Sequence, residues 1–209
     1  MSFYIFSVIM TLSEHAPECV FFNAGVSGME AFMAWEFTVL HWFESIHMPI
    51  LDILMKIITA FGNGGIFWIA LTVILLFTKK YRKCGVAMAF SLIASLIFTN
   101  LLLKNLLLRP RPFWVDTTFN LIVTAPTDFS FPSGHSSASF AAATAFFCQK
   151  KMPGIILLVL AGAIALSRLY LTVHYPTDVI AGLVLGVIYG IIGSLASNMF
   201  CKKFNISQT

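Results

Sequence analysis

The chain has 209 residues, of which 58% are hydrophobic and 11% charged, with a formal net charge of +4 at pH 7. About a quarter of a soluble globular domain is charged, because water-facing surface has to be covered; this composition excludes that class and points to a membrane protein. There is no basic face and no polar surface to carry one, so nucleic acid is excluded as a partner.

The first ten residues, MSFYIFSVIM, are apolar but lack a basic start and a small-residue cleavage site, so they do not read as a removable signal peptide. Residues 1–29 form an N-terminal segment of unknown role. Residues 30–48 hold Glu30, Glu36, His41, Glu44 and His47 among aromatics. That mixture suits a helix at the membrane interface or a less apolar first span, with the histidines as interfacial groups. From Pro49 an apolar pattern runs to residue 78, interrupted by Gly62, Gly64 and Gly65, which predicts a bend or two abutting helices. Stretches 84–107, 154–172 and 179–200 each approach or exceed the roughly 20 residues that a span needs. Between them, 135–149 reads HSSASFAAATAFFCQ; its small side chains allow close helix approach and predict a buried helix facing protein. The expected fold class is all-α, a polytopic membrane bundle of about six helices, with residues 30–209 as one domain.

The basic residues predict an orientation. Lys79, Lys80, Arg82 and Lys83, then Lys150 and Lys151, then Lys202 and Lys203 fall on one side of the spans, and short loops rich in Lys and Arg face the cytoplasm. Cys84, Cys148 and Cys201 lie beside these clusters and read as free thiols in a reducing compartment. Together with Cys19 they show no C-x-x-C spacing, so zinc has no support. Lys104, Arg109, Arg111 and Arg168 fall on the opposite side. A single arginine there could snorkel to headgroups. Four at one membrane level call for something anionic to receive them and predict an anion site near the outer surface.

Three segments on that side hold the remaining reactive residues: KNLLLRPRP from Lys104, FPSGHSS from Phe131, and SRLYLTVHYPTD from Ser167. His174 and Asp178 stand four apart, and Pro176 suits the first turn of a helix. Asp178 can then accept a hydrogen bond from one imidazole nitrogen, leaving the other free to attack. Taken alone, His174 reads as well as a histidine capping a loop, and Pro132-Ser133-Gly134 as a turn and cap. The same three residues ahead of a helix also turn backbone N–H groups toward an anion. His135 suits acid–base work, since a free imidazole titrates near neutral pH.

Taken together, K-x6-R-P (Lys104, Arg111, Pro112), P-S-G-H (Pro132 to His135) and S-R-x5-H-x3-D (Ser167, Arg168, His174, Asp178) resemble the three-part signature of the type-2 phosphatidic acid phosphatase superfamily. The match is complete and in order, and bacterial acid phosphatases and vanadium haloperoxidases share it. The resemblance covers the chain from about residue 50 to 200. It implies His174 as a nucleophile forming a phosphohistidine, His135 as the general acid and Asp178 as the orienting carboxylate. It implies Lys104, Arg111, Ser133, Gly134 and Arg168 as phosphate ligands, with no metal and no cofactor. Arg109 lies outside the signature and is expected at a second phosphate or a headgroup.

The haloperoxidase relatives are soluble and larger, which the apolar composition opposes. A phosphotransferase shares the first half-reaction and stays open. A non-catalytic lipid-binding or transport protein would be expected to have lost His135, His174 or Asp178. The expected function is hydrolysis of a lipid phosphate or diphosphate at the extracytoplasmic side of the plasma membrane, with the lipid and the bilayer as partners. Small bacterial undecaprenyl pyrophosphate phosphatases and phosphatidylglycerophosphate phosphatases are similar, and an outward-facing site favours undecaprenyl pyrophosphate over phosphatidate-type lipids. Oligomeric state is not legible.

Overall fold

The computed structural model describes residues 20–204, so most of the N-terminal segment, Cys19 included, lies outside the described residues. Residues 1–36 group apart from Phe37–Thr209, and the second unit holds every side-chain contact discussed below. Every regular element among the described residues is helical.

Helix α1 spans Val20–Ser45. Pro49 then opens α2, Pro49–Ala60, at the position where its missing N–H costs nothing. The predicted interruption follows. Gly64 and Gly65 take φ values of 58° and 67°, which side chains disfavour, and the chain restarts as α3, Ile66–Phe77. Helix α4, Arg82–Ala94, runs on without a break through a π-helical stretch, Ser95–Leu103, and a last α-helical turn, Lys104–Leu107. Such wide winding often accompanies functional sites; hydropathy gives no sign of it. Leu108, at φ 49°, closes this helix in the left-handed conformation common just past a helix end. After a short turn of helix at Pro112–Val115 and an irregular segment come α5, Gly134–Gln149, α6, Lys151–Tyr170, and α7, Pro176–Lys203.

Four helical stretches among the described residues are long and apolar enough to cross a membrane: Pro49–Phe77, Lys79–Val115, Lys151–Tyr170 and Pro176–Lys203. Helix α5 has only 16 residues, about 24 Å at 1.5 Å per residue. It is short because it sits inside the bundle, packed against α4, α6 and α7 and buried almost along its length. The small side chains of α5 meet a ladder of glycines on α7. A Cβ on Gly182 would lie 2.6 Å from the Ser133 carbonyl oxygen, one on Gly186 2.6 Å from that of Ser137, and one on Gly190 2.5 Å from Thr144 Cβ. Backbone therefore touches backbone along this seam. Trp68 on α3 donates its indole N–H to Ser139 Oγ at 2.9 Å, satisfying the polar edge of the largest fully buried side chain. The outer surface is apolar instead: Ile50, Phe77, Leu106, Met152 and Ile156 are among many large side chains that stand exposed, as expected where lipid is the solvent.

Alternation of the helices puts the starts of α4 and α6 and the ends of α5 and α7 at one end of the bundle, with their basic clusters. The end of the α4 extension, the starts of α5 and α7 and the end of α6 gather at the other. There, segment 116–133 covers the helix ends, with Phe113, Leu121, Ile122 and Val123 against Tyr170, Leu171 and Val173. The cysteines Cys84, Cys148 and Cys201 are free, the first and last buried.

The α5–α7 seam is expected to be intolerant of added volume. Gly186→Ala forces a methyl against a carbonyl of a helix enclosed on all sides and should cost about 1–3 kcal/mol, read as a lowered unfolding midpoint in detergent. Gly162→Ala, whose Cβ meets nothing within 4 Å, should leave stability equal or higher by up to about 1 kcal/mol.

Candidate active site

The signature residues arrive at one place from four helix ends. Lys104 begins the last turn of the α4 extension; Arg111 lies in the bend beyond it; His135 is in the first turn of α5; Arg168 is in the last turn of α6. His174 occupies the tight loop into α7 and Asp178 its first turn. Lys104, Arg111, Arg168, His174 and Asp178 are all buried. Thr172, at φ 53°, is a β-branched residue in the left-handed region, a conformation that surrounding structure has to impose. It turns the chain immediately before His174.

The cations hold an anion already, and it belongs to the protein. The Asp128 carboxylate, on segment 116–133, pairs with Lys104 Nζ through one oxygen. Its other oxygen accepts from Arg111 Nη2 at 2.6 Å, and its carbonyl accepts from Arg111 Nε at 2.7 Å. Burial alone would raise this carboxyl, but the hydrogen bonds and charges of Lys104 and Arg111 together outweigh it and hold it at about 2. Arg111 also donates Nη1 to the Val173 carbonyl at 2.7 Å, and the same nitrogen lies 3.4 Å from His174 Nε2. Arg168 donates Nη1 to Thr59 Oγ1 at 2.6 Å, and its Nε is buried with no partner. Lys104 and Arg111 thus share one carboxylate and Arg168 bonds none among the described residues, an imbalance suited to a further anion.

Around His174 the arrangement differs from a direct imidazole–carboxylate bond. Nδ1 is 3.5 Å from Asp178 Oδ2, long for N–H···O. Ser130 Oγ stands between them, donating to Asp178 Oδ2 at 2.5 Å and lying 3.3 Å from Nδ1. Asp178 further accepts from the Tyr175 backbone N–H at 2.9 Å, and its Oδ1 accepts from Arg109 Nη1 at 2.6 Å. Arg109 also donates to Thr177 Oγ1 and stacks 3.9 Å over the Tyr175 ring. Arg109, expected at a second phosphate or a headgroup, is instead engaged with the Asp178 carboxylate. Burial, then the charges of Arg111, Arg168 and Lys104, keep the His174 imidazole well below its ordinary pKa, so it is neutral with Nε2 turned to the cations.

His135 Nε2 is 2.9 Å from Asn63 Oδ1, at the interruption between α2 and α3. Gly62 permits this approach, since a Cβ there would sit 2.5 Å from His135 Cδ2. Ser133 caps α5, its Oγ accepting from Ser136, and its N–H donates to the Asp178 carbonyl at 3.0 Å. Gly134 passes so close to Asn100 that a Cβ would lie 2.5 Å from Oδ1. His41, Glu44 and His47 lie elsewhere: His41 bonds Asp116, Glu44 accepts from the Asn120 backbone, and His47 bonds the Tyr170 carbonyl. They tie the outer segment down.

Sequence reasoning missed Ser130 and Asp128. Ser130 stands five residues before His135 and Asp128 seven, and a short polar residue next to a turn carries no signal of the partner it will meet.

The sequence pattern that defines the PAP2 superfamily matches residues 85–200, which include Lys104, Arg111, His135, Arg168, His174 and Asp178. The undecaprenyl-diphosphatase of Sulfolobus acidocaldarius is 35% identical over 135 residues, 64% of this chain and 64% of that protein. The chain thus spans just under two thirds of that relative's length. The undecaprenyl-diphosphatase BcrC of Bacillus subtilis is 31% identical over 148 residues, 71% of this chain and 76% of the relative. Among solved structures, the PAP2-type phosphatidylglycerolphosphate phosphatase of Bacillus subtilis superposes with a TM-score of 0.66 at 26% identity, covering 97% of this chain and 95% of its own.

Because Asp128 competes for the same donors, its removal should open the site to other anions. Inorganic phosphate titrated calorimetrically into detergent-solubilised Asp128→Ala is expected to bind about tenfold tighter than to wild type if the displaced contact is worth about 1.4 kcal/mol. Weaker binding would show that the carboxylate organises the cations instead.

Proposed function

This chain belongs to the PAP2 superfamily, and from that premise we propose that it is an integral-membrane phosphatase of lipid phosphates and diphosphates working through a phosphohistidine. The observation that carries the reading is the buried pair Lys104 and Arg111, closed on a carboxylate, with Arg111 3.4 Å from the neutral His174 Nε2. A phosphoryl group that replaced Asp128 on those donors would lie against the nucleophilic nitrogen.

In the first step His174 Nε2 bonds to phosphorus as the bond from phosphorus to the leaving oxygen breaks. His135, entering the step as an imidazolium, gives its Nε2 proton to that oxygen and is left a neutral imidazole, so the lipid leaves neutral at that atom. Charge gathers on the remaining phosphoryl oxygens, where Lys104, Arg111 and Arg168 stabilise it in a site that needs little reorganisation. Ser130 and Asp178 hold Nδ1, and with it the tautomer and ring direction. In the second step water attacks phosphorus, the P–N bond breaks, His135 Nε2 takes the water proton and inorganic phosphate is released.

A lipid substrate suits the surroundings. A cavity of about 440 Å³ reaches from Lys104 and His135 to Ile69 on α3, to Leu92 and Ile93 on α4, and to Leu96 in its π-helical extension. Ile69, Ile93 and Leu96 are also exposed on the outer surface, so the apolar wall of the cavity runs into the lipid-facing surface. The basic clusters lie at the opposite end of the bundle, which supports a site on the extracytoplasmic side. The relatives' activity and that outward placement favour undecaprenyl diphosphate. Glycerolipid phosphates are the second reading, favoured by the phosphatidylglycerolphosphate phosphatase that superposes over nearly the whole chain.

Purified protein in detergent containing EDTA should release phosphate from undecaprenyl diphosphate, and His174→Ala should lower the rate at least about a thousandfold, as loss of a nucleophile does. Acid-quenched wild type should carry acid-labile phosphate that the variant lacks. Activity abolished by EDTA and restored by Mg²⁺, or phosphoenzyme in the variant, would overturn the reading. The pH profile tests it separately. Since the folded environment lowers the His174 pKa, the attacking base survives to more acid pH than a free imidazole of about 6.5. Corrected for substrate ionisation, kcat/KM should not fall as pH drops through that value; a limb descending toward acid pH at 6.5 would assign the nucleophile elsewhere.

A further inference from the structure

Twelve of the thirteen basic residues are accounted for by the cytoplasmic-type clusters and the signature side of the bundle; the thirteenth is Lys56. It lies on α2 with an exposed side chain, and it forms no ion pair with any described residue. Asp52, one turn earlier on the same helix, is engaged at 2.5 Å by the Tyr170 hydroxyl. Lys56 lines a second cavity of about 440 Å³ with Thr59, Asn63, Thr124, His135 and Arg168. Both charged liners are cations, and no carboxylate lines it. The unpartnered Nε belongs to Arg168, one of the two. This is a built anion environment.

Its position against His135 says which part of a substrate it would meet. His135 lines both cavities, and its Nε2 points to Asn63, which lines only this one of the two. A leaving oxygen receiving the Nε2 proton takes the place of Asn63 Oδ1, so whatever that oxygen carries emerges beside Asn63 and Lys56. In a monoester it carries carbon, which needs no cation. In a diphosphate it carries the second phosphate, which enters the cavity lined by Lys56 and the unpartnered Arg168 Nε while Lys104 and Arg111 hold the transferred phosphoryl group.

We infer that Lys56, with the Asn63 side chain, binds the non-transferred phosphate of a lipid diphosphate and so sets the preference for diphosphates over monophosphates; this rests on the phosphatase reading above. Lys56 makes no contact with the transferred group and is a specificity-determining residue. After cleavage the same ammonium remains on the lipid monophosphate product, which must leave it to return to the bilayer.

The test is kcat/KM of the full chain in detergent on farnesyl diphosphate and farnesyl monophosphate, which share one tail, for wild type, Lys56→Ala and Lys56→Arg. A hydrogen bond to a charged group is worth roughly tenfold or more. The diphosphate-to-monophosphate ratio should therefore fall about tenfold or more in Lys56→Ala and recover largely in Lys56→Arg. An unchanged ratio overturns the assignment. So does an equal loss on both lipids, which would make this cavity an exit for inorganic phosphate, the product common to the two. Wild-type protein that cleaves neither lipid would overturn the phosphatase reading itself, a result the variants are not needed to see.

Discussion

The geometry of the site depends on how closely α5 and α7 approach. Gly182, Gly186 and Gly190 let α7 rest on the backbone of α5, and the Ser133 N–H donates to the Asp178 carbonyl where the two helices begin. That seam fixes the offset between His135 on one helix and His174 and Asp178 at the start of the other. In an apolar solvent, hydrophobicity does not drive helices together, so contact of this kind and its hydrogen bonds have to supply the specificity. A larger side chain in the ladder would move two halves of the reaction apart.

The second constraint is charge. Cations at the end of an apolar bundle are costly unless matched, and the protein matches them in two separate ways. Arg109 is committed to Asp178, the carboxylate beside His174, whereas Lys104 and Arg111 share the carboxylate of Asp128, more than half of whose side-chain surface is exposed, 55%. The first pair is structural and internal. The second leaves its acid half open to solvent. Arg168 adds positive charge with no carboxylate in bonding range, which leaves the site cationic even when Asp128 is in place.

The interruption of the Pro49–Phe77 stretch links fold to chemistry. Gly64 and Gly65 break the helix, and the break delivers Asn63 to His135 and brings Lys56 to the same cavity. The apolar cavity runs along α3 and α4 from that same point. His135 therefore has an apolar wall on one side and a cationic wall on the other, two surroundings that differ sharply in what they solvate.

Much of this was legible in the sequence because it is local. Hydropathy and the basic clusters located the spans; the glycines at 62–65 marked the bend; the small residues of 135–149 announced a buried helix; and the three motifs named the residues that gather at one end. What the sequence could not contain is partnership across the chain. Asp128 pairs with a lysine 24 residues away, Ser130 slips between His174 and Asp178 from 44 and 48 residues away, and Arg109 reaches an acid 69 residues on. The π-helical winding and the register of the glycine ladder are likewise decided by neighbours. The sequence by itself determined which side chains are available and at which end of which helix they stand, because hydropathy and helical periodicity are properties of one segment. Only the tertiary structure decided which cation pairs with Asp178 and which with Asp128, because a charge buried in a low-dielectric bundle takes whichever opposite charge the packing brings within reach.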